Sequence, residues 1–370
     1  MVTTVWECAN IGAVRPTHAE IDLAAIRHNV TAISRVVAPA SYCAVVKADA
    51  YGHGDVPVAE AALEAGAACL AVALVEEGVR LREAGIEAPI LVLSEPALTD
   101  AAEMVRWGLT PTAYRVDFLR ALAEAADRPV DVHIKVDTGM HRVGAPLARL
   151  PELVDAVRPP LRLGGVWTHF AVADEDPEFT QLQIERFREA AAGLDVPSHL
   201  ANTAGSLLFP AARADLVRVG LGTYGLHPCP ATREVVDLRP ALRVVSRVVY
   251  VQRLAAGERP SYGRRRALQK ESNVATVPIG YADGVPRRLS ATGGEVLIRG
   301  RRYPLAGTVT MDQIVVDVGD DPVEVGDEVV LIGRQGTEEI TADEWAEKTD
   351  TISYEVVCDI GPRVPRRYSP

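Results

Sequence analysis

The sequence predicts an α/β protein, a (β/α)8 barrel of the TIM type followed by a C-terminal all-β domain. Three observations lead to this prediction. Eight short β-rich segments alternate with helical segments over the first two-thirds of the chain. Near Leu238 the pattern changes to closely spaced strands, and several of the earlier strands end on unusual polar residues. The 370 residues are enough for a barrel and a second domain with its own core.

The barrel prediction depends on the number of strands. Strands are predicted at 42–47, 69–74, 90–93, 109–114, 130–137, 163–169, 198–201 and 216–220. Apolar residues at helical spacing predict helices at 56–65, 75–84, 116–126 and 179–192. An open doubly wound sheet has the same alternation with fewer strands, so a count of eight favours a closed barrel.

The second domain reads as short strands separated by turn signals such as Ala-Gly-Glu and Ala-Asp-Gly. The predicted strands are 244–254, 273–279, 294–298, 313–318 and 328–332, and one helix is predicted at 342–348 with Thr341 as its N-cap. We therefore expect a barrel over residues 17–238 and a β domain over residues 239–370. Residues 1–16 could add a strand to the β domain.

Composition limits the classes of partner. The net charge of −11 disfavours nucleic acid and anionic membranes. The longest apolar run has about nine residues, whereas a membrane span needs roughly 20, and the first residues show no signal-peptide pattern. Five widely spaced cysteines without a CxxC motif suit reduced thiols in a cytoplasm and predict no metal site.

Active sites of such barrels lie at the carboxyl ends of the strands. Here those ends carry Lys47, Lys135, Asp137, Arg142, His169, Asn202, Thr203, Arg218 and Gly220. Each residue alone is a weak signal, because a single lysine is usually a solvated charge and a single histidine is usually structural. Their common location makes them candidates for one site.

Lys47 is the most unusual of these residues. It follows an apolar run and precedes Ala48, so we expect it at a nearly buried strand end. Burial lowers the pKa of a lysine, which can then act as a nucleophile or form a Schiff base. The following Tyr51-Gly52-His53-Gly54 lacks the third glycine and the acidic partner of a dinucleotide-binding fingerprint, so we reject that interpretation.

The segment from Arg218 to Gly222 predicts a phosphate site. Its glycines let backbone N–H groups approach an anion, and Thr203 offers a hydroxyl at the end of the preceding strand. Phosphate sites after the seventh and eighth strands are common in these barrels. A reactive lysine combined with a phosphate cradle points to pyridoxal 5'-phosphate.

Eight segments between residues 17 and 367 together resemble the alanine racemase family. They are AVVKADAYGHG, KVDTGMHRVG, THFA, RVGLGTYGL, PSYG, PIGYADG, TMDQ and TISYEV, in that order. The resemblance implies a barrel with a C-terminal β domain, working as a head-to-tail homodimer with shared active sites. It also implies an isomerase that interconverts L-alanine and D-alanine and supplies D-alanine for peptidoglycan.

The resemblance implies two bases on opposite faces of the substrate. Lys47 would bind the cofactor covalently and act as one base. Tyr262, in PSYG, would be the second base and would come from the β domain of the other subunit. The phosphate would be bound by Tyr51, Thr203, Gly220, Leu221 and Tyr354. Arg218 would face the pyridine nitrogen, and His169 would pack against the ring and orient Arg218.

The substrate carboxylate would be bound by Arg142, with help from the backbone of Met311 of the other subunit. Lys135 matches a lysine that is carbamylated in some relatives and then orients Arg142. The alternative for Lys135 is an ordinary ion pair with Asp137.

The substrate entrance would be lined by Tyr281, Arg287 and Asp312. The alternative for Asp312 is that it only holds the loop that carries Met311. Tyr281 and Tyr354 could instead be structural tyrosines at the edge of the core.

Three residues depart from the commoner family pattern. Thr203 stands where serine is usual, Thr308 where many members carry an arginine at the entrance, and Thr310 where cysteine is frequent. Thr203 keeps the hydroxyl, so phosphate binding should survive. The other two leave substrate entry and inhibitor response open.

Three other functions compete with alanine racemisation. A racemase of broader specificity, for example one acting on serine, would use the same residues. A decarboxylase of similar architecture should place an acidic residue, and not Arg218, at the ring nitrogen. A non-catalytic cofactor carrier would not need Tyr262 or the β domain.

Overall fold

The computed structural model describes residues 15–370, which form two compact units. The barrel unit comprises residues 22–241, and the β unit comprises residues 15–21 together with 242–369. The strand suggested within residues 1–16 falls almost entirely outside the described residues.

The barrel unit is built on eight parallel strands. They are Ser41–Val45, Cys69–Val72, Ile90–Val92, Thr110–Ala113, Val130–Asp137, Leu161–Trp167, Ser198–His199 and Leu216–Val219. The strands pair in chain order, and Leu216–Val219 returns to pair with Ser41–Val45. Backbone bonds from Asp215 N to Ser198 O (3.1 Å) and from Arg218 N to Ala201 O (3.0 Å) bridge the remaining gap. The sheet is therefore nearly closed, which confirms the predicted barrel.

Helices surround these strands. Their bounds are Leu23–Val37, Asp55–Glu64, Val75–Glu83, Ala101–Arg106, Val116–Ala125, Leu150–Ala156, Pro177–Ala190 and Thr203–Leu208. The first begins at Asp22, whose carboxylate accepts from the backbone N–H of Ala25 at 2.9 Å and caps the helix. It buries Ile26, Val30 and Ile33, whose spacing of three and four residues places them on one face.

The β unit contains two sheets. The larger sheet runs in the order Arg301–Pro304, Glu295–Ile298, Glu328–Gln335, Leu242–Arg247, His18–Asp22 and Arg366–Ser369, and Glu338–Ile340 also pairs with Glu328–Gln335. The smaller sheet consists of Tyr250–Leu254, Ser272–Val277 and Ile314–Gly319. Two helices, Ala342–Thr349 and Ser353–Cys358, complete this unit.

The sequence-based prediction of the β unit was wrong in several places. The single strand expected at 244–254 is two strands that belong to different sheets. The strands His18–Asp22, Arg301–Pro304, Glu338–Ile340 and Arg366–Ser369 and the helix Ser353–Cys358 were not predicted. These elements are short, and the strands are rich in charged residues, so their sequences lack the apolar alternation that identifies a half-buried strand.

Among residues 15–370 no helix combines the length and the apolar character that a bilayer crossing requires. Over the same residues, no grouping of histidine, cysteine and carboxylate side chains is suited to hold a metal ion.

Gly225 closes the turn that follows the last barrel strand, and it provides a test of the barrel packing. It has φ of +80°, and a Cβ atom there would lie 1.8 Å from the carbonyl oxygen of Arg239. We expect Gly225→Ala to lower the free energy of unfolding by about 3 kcal/mol or more, because the backbone of residue 239 has to move.

The matched control is Gly193→Ala, where φ is +83° and the added methyl group meets open space. This substitution should lower the free energy of unfolding by only about 1–2 kcal/mol, the penalty for placing alanine in the left-handed conformation. Denaturant unfolding of both variants compares them. Equal destabilisation would contradict the packing at Gly225.

Candidate active site

Lys47 begins a turn and does not end a strand, which corrects the sequence-based prediction. The strand stops at Val45, and the short helical segment Lys47–Gly52 follows. Within it, residues 48–51 have φ values of 51–53°, so this turn is left-handed. Each L-residue in that conformation costs about 1–2 kcal/mol, so the turn needs support from other segments.

Glu77 supplies part of that support. Its carboxylate accepts from the backbone N–H of Ala48 (2.6 Å) and also from those of Ala73 (2.8 Å) and Leu74 (3.1 Å). One side chain thus ties the start of the left-handed turn to the end of the neighbouring barrel strand. Sequence reasoning did not identify Glu77, because nothing in its local pattern distinguishes it from a helix-start acid.

The ring of Tyr51 is buried at the end of this turn. Its centroid lies 4.8 Å from that of Tyr224, and Tyr224 in turn donates its hydroxyl to Val45 O at 2.7 Å. A Cβ atom on Gly220 would lie 2.4 Å from the Tyr51 hydroxyl oxygen. A side chain at position 220 would therefore displace the Tyr51 hydroxyl from this backbone.

The predicted phosphate-binding residues of the barrel unit come together here. The N–H of Gly220 donates to the hydroxyl of Thr203 at 3.2 Å. Thr203 begins the helix Thr203–Leu208, and the side chain of Asn202 caps that helix by accepting from Gly205 N at 2.9 Å. Leu221, fully buried, follows Gly220 directly. Hydroxyl groups and backbone N–H groups thus lie in one small region.

Arg218 is buried in the barrel with its guanidinium surrounded by acceptors. One terminal nitrogen donates to Nδ1 (2.8 Å) and O (3.0 Å) of His199. The other donates to Thr168 O (2.7 Å), to Leu200 O (3.1 Å) and more distantly to His169 Nδ1 (3.3 Å). Burial lowers the pKa of Arg218 to about 10, so it remains charged at neutral pH.

His199 is a second residue that the sequence analysis did not identify. Because its Nδ1 accepts from Arg218, its Nε2 carries the proton and donates to Nδ1 of His133 at 2.8 Å. The ring of Trp167 stacks on His199 with centroids 5.4 Å apart. His199 is a closer partner of Arg218 than the predicted His169. The sequence placed His199 on a strand, but only the register shows that it points inward.

Lys135 is buried beside Trp167, with Nζ 4.2 Å from the ring centroid. Burial, together with the charges of Arg218, Arg142 and Lys47, lowers the pKa of Lys135 to about 7. The same three charges and that of Lys135 act with burial to hold the pKa of His169 well below its ordinary value. Lys47, Arg142 and Arg218 therefore all lie close enough to Lys135 to influence its charge.

Asp137 shapes the loop that carries Arg142. Its carboxylate accepts from the backbone N–H groups of Gly139 (2.9 Å), Met140 (2.9 Å) and His141 (3.1 Å). These bonds help to lower the pKa of Asp137 against the opposing effect of burial. Asp137 thus organises the turn, and its weak attraction for the Lys135 charge does not offset the surrounding cations.

The β unit presents three of the predicted residues on its surface. The exposed fractions of Tyr262, Tyr281 and Met311 are 73%, 42% and 52%. Backbone bonds from Tyr281 N to Thr310 O (2.9 Å) and from Ala282 N to Met311 O (3.1 Å) join the Tyr281 and Met311 segments. These large side chains are therefore accessible on the surface of the β unit.

The remaining predicted residues of the β unit have distinct surroundings. Asp312 pairs with Arg363 at 2.7 Å, which fits a role in holding the Met311 loop. Tyr354 lies in the helix Ser353–Cys358 and is partly buried. Arg287 is exposed and lines a cavity of about 800 Å³ together with Arg259, Arg265, Arg266, Arg288 and Thr308.

Comparison with family models gives two matches that together span most of the chain. Residues 21–228 match the model described as "Alanine racemase, N-terminal domain". Residues 241–368 match the model described as "Alanine racemase, C-terminal domain".

Individual relatives agree over nearly the full length. The chain is 48% identical to an alanine racemase of Symbiobacterium thermophilum, with 97% of this chain and 98% of the relative covered. It is 45% identical to an alanine racemase of Nostoc sp., with 94% of each covered.

Solved structures agree as well. The crystal structure of alanine racemase from Bacillus anthracis with bound L-Ala-P has a TM-score of 0.90 and 39% identity, with 96% of this chain and 95% of that chain covered. The alanine racemase from a D-cycloserine-producing Streptomyces lavendulae has a TM-score of 0.91 and 39% identity, with 96% and 97% covered.

His199 and His133, which are linked by hydrogen bonds to Arg218 and to each other, predict a pH dependence of stability. Burial lowers the pKa of His133 to about 4, whereas an unfolded histidine titrates near 6.5. Between these values the unfolded chain binds more protons, so the free energy of unfolding should fall as the pH drops from about 6.5 towards 4. Protonation of His133 should lower the free energy of unfolding by at most about 3 kcal/mol.

Unfolding by urea across this pH range tests the prediction. His133→Gln, which keeps an acceptor for His199, should flatten the dependence, and His28→Gln, at a half-buried site in the helix Leu23–Val37, should not. An unchanged slope in His133→Gln would show that other groups cause the acid sensitivity.

Proposed function

The chain belongs to the alanine racemase family, and on this premise we propose that it interconverts L-alanine and D-alanine through two bases, Lys47 and the tyrosine at position 262 of a second copy. The cofactor of this reaction is pyridoxal 5'-phosphate. The observation that carries the proposal is the convergence of three basic side chains on Lys135. Burial and the charges of Arg218, Arg142 and Lys47 together lower the pKa of Lys135 to about 7.

The barrel residues fit this cofactor. Phosphate needs hydroxyl and backbone donors, and Tyr51, Thr203 and Gly220 supply them within one region. The four basic side chains favour binding of an anionic group and of a substrate carboxylate. In this proposal Leu221 and Tyr354 complete the phosphate site, through a backbone N–H and a hydroxyl respectively.

The charge of Arg218 favours racemisation over transamination and decarboxylation. Pyridoxal 5'-phosphate, when bound, supplies an electron sink that stabilises negative charge at the substrate Cα. Arg218 is charged and donates to acceptors on several sides, so it opposes protonation of a ring nitrogen placed beside it. A cation there weakens the sink and disfavours transamination. It also argues against a decarboxylase, which should place an acid at this position.

The two bases act on opposite faces of Cα. One removes the Cα proton, and the other returns a proton to the opposite face, which inverts the centre. Lys47 serves the barrel side, where Arg142 binds the substrate carboxylate and fixes the Cα–H bond in a reactive orientation. Tyr262 serves the other face, and its 73% exposure leaves the phenol available to a second copy.

Because each active site uses Tyr262 of the other copy, the active form in this proposal is a homodimer. Met311 also belongs to the exposed surface of the β unit, and its backbone would assist Arg142 of the other copy. Tyr281, Arg287 and Asp312 would line the entrance, with Asp312 fixed by Arg363. The product D-alanine would serve peptidoglycan synthesis, and a cytoplasmic location suits the free thiols of Cys43 and Cys69.

A racemisation assay with complementing variants tests the function and the shared site together. Lys47→Ala and Tyr262→Phe should each abolish interconversion of the alanine enantiomers. A refolded 1:1 mixture should recover about a quarter of the wild-type activity, because half of the dimers then contain one intact site out of two.

Recovery of no activity in the mixture, with each variant shown to be folded and dimeric, would contradict the shared site. Assays of wild type on serine and larger amino acids decide between an alanine enzyme and a racemase of broader specificity. A protein that binds the cofactor without turnover would be a carrier and would refute the proposed function.

Lys135 is proposed to carry a carbamate that orients Arg142. With a pKa of about 7, roughly half of the amine is neutral at pH 7, and neutral amine attacks carbon dioxide. The N–C bond forms, one proton leaves to water, and the resulting anion offsets the charges of Lys47, Arg142 and Arg218. We expect a carbamate signal after incubation with ¹³C-bicarbonate, rising in intensity as the pH passes through 7.

The Lys135→Gln variant should lose this ¹³C NMR signal, whereas Lys348→Gln, in the helix Ala342–Thr349, should keep it. A signal that persists in Lys135→Gln would assign the carbamate elsewhere. Wild-type protein without any signal would leave Lys135 as a free amine and refute the proposal.

A further inference from the structure

We propose that Thr308 is a positioning residue for Tyr262, because its hydroxyl fixes the backbone from which the phenol projects. The proposal rests on the proposed function, in which Tyr262 is one of the two bases. It gives a role in catalysis to Thr308, for which the sequence suggested only a place at the substrate entrance.

The phenol of Tyr262 depends on its backbone for its position. The side chain is 73% exposed, so packing within the β unit restrains it little. Its loop is closed at the base by two backbone bonds, from Gly257 N to Leu268 O and from Leu268 N to Glu258 O, each 2.9 Å. Leu268 anchors this base in a cluster with Val274 and Ala306. These contacts fix the base of the loop but do not reach its tip, residues 261–264.

The tip has an unfavourable backbone conformation. Ser261 has φ of 67° and ψ of −177°, a region that essentially only glycine occupies without strain. Two further residues of the tip, Gly263 (φ 73°) and Arg264 (φ 45°), also have positive φ. Residues in such conformations persist only where surrounding contacts define them, and here they flank Tyr262 on both sides.

Thr308 makes those contacts. Its hydroxyl donates to the carbonyl oxygen of Tyr262 at 2.7 Å, and the hydroxyl of Ser261 donates to the carbonyl oxygen of Thr308 at 2.6 Å. Thr308 is 4% exposed, so water does not readily replace these bonds. The preceding Gly307 allows the approach, because a Cβ atom there would lie 2.4 Å from Pro260 O. The two hydroxyls form a reciprocal clamp on the residue before the phenol and on Tyr262 itself.

Loss of the clamp should slow proton transfer by Tyr262 and leave proton transfer by Lys47 unchanged. A displacement of about 1 Å at a reacting group can reduce its rate roughly 100-fold. Without the Thr308 hydroxyl, the Tyr262 carbonyl loses its donor and the strained tip relaxes. Transfers by Tyr262 then slow, while Lys47, in the barrel unit, still exchanges the proton on its own face. A general loss of structure would slow both transfers alike.

The experiment compares Thr308→Val, which removes the hydroxyl and keeps the shape, with Thr308→Ser, which keeps the hydroxyl. The control is Thr349→Val, because the Thr349 hydroxyl also donates to a backbone carbonyl, Trp345 O at 2.6 Å. For each holoenzyme, kcat and KM are measured with L-alanine and with D-alanine. Exchange of the Cα hydrogen in D₂O is followed by NMR for each enantiomer separately.

We expect Thr308→Val to lower kcat about tenfold or more with a small change in KM. One enantiomer should still exchange its Cα hydrogen without inversion, and the other should lose exchange. Thr308→Ser should stay within about twofold of wild type, and Thr349→Val should behave as wild type.

Three results would overturn the proposal. They are full activity in Thr308→Val, equal loss of exchange for both enantiomers, or an equal defect in Thr308→Ser. If Thr308→Val does not fold, Ser261→Ala tests the clamp from the other side and should show the same one-sided exchange. A wild-type protein without racemisation would instead refute the proposed function, which keeps the two failures separate.

Discussion

The buried charge of Arg218 is the constraint on which the barrel site depends. A guanidinium inside a barrel is tolerated only when its N–H groups find acceptors, and here the carbonyl groups of Thr168, His199 and Leu200 provide them. Those carbonyls belong to the ends of two neighbouring strands, so the same bonds hold the barrel near its closure. The uncompensated charge then acts on its surroundings. It helps to lower the pKa of Lys135 to about 7 and favours anions at the carboxyl ends of the strands.

Both proposed bases stand beside strained backbone, and both segments are held from outside. The left-handed turn after Lys47 is tied down by Glu77, and the tip before Tyr262 is tied down by Thr308. Glu77 accepts from the backbone N–H of the residue after Lys47, and Thr308 donates to the backbone carbonyl of Tyr262 itself. Strain that persists at a functional site is a sign that geometry there is defined by more than local preference. The hydroxyl of Thr308 therefore has a structural role in this loop.

Sequence patterns predicted the barrel well and the β unit less well. All eight barrel strands occur, with ends within three residues of the predicted ones, because buried parallel strands are continuous apolar runs bounded by turns. Lys47 was misplaced because the apolar run continues past the strand into Val46. The edge strands Arg301–Pro304 and Arg366–Ser369 form through backbone pairing that charged sequences do not reveal.

The sequence by itself determined the fold class and the family, and with them the candidate residues, because reactive side chains in spaced motifs are visible without coordinates. Tertiary structure decided which groups support them. His199, Glu77 and Thr308 act through hydrogen bonds to residues at least 19 positions away in the chain. Their contribution depends on strand register and on the path of the backbone, which no local pattern encodes. Lys47 follows an apolar run in the sequence, but only the folded barrel places it close to the other basic side chains.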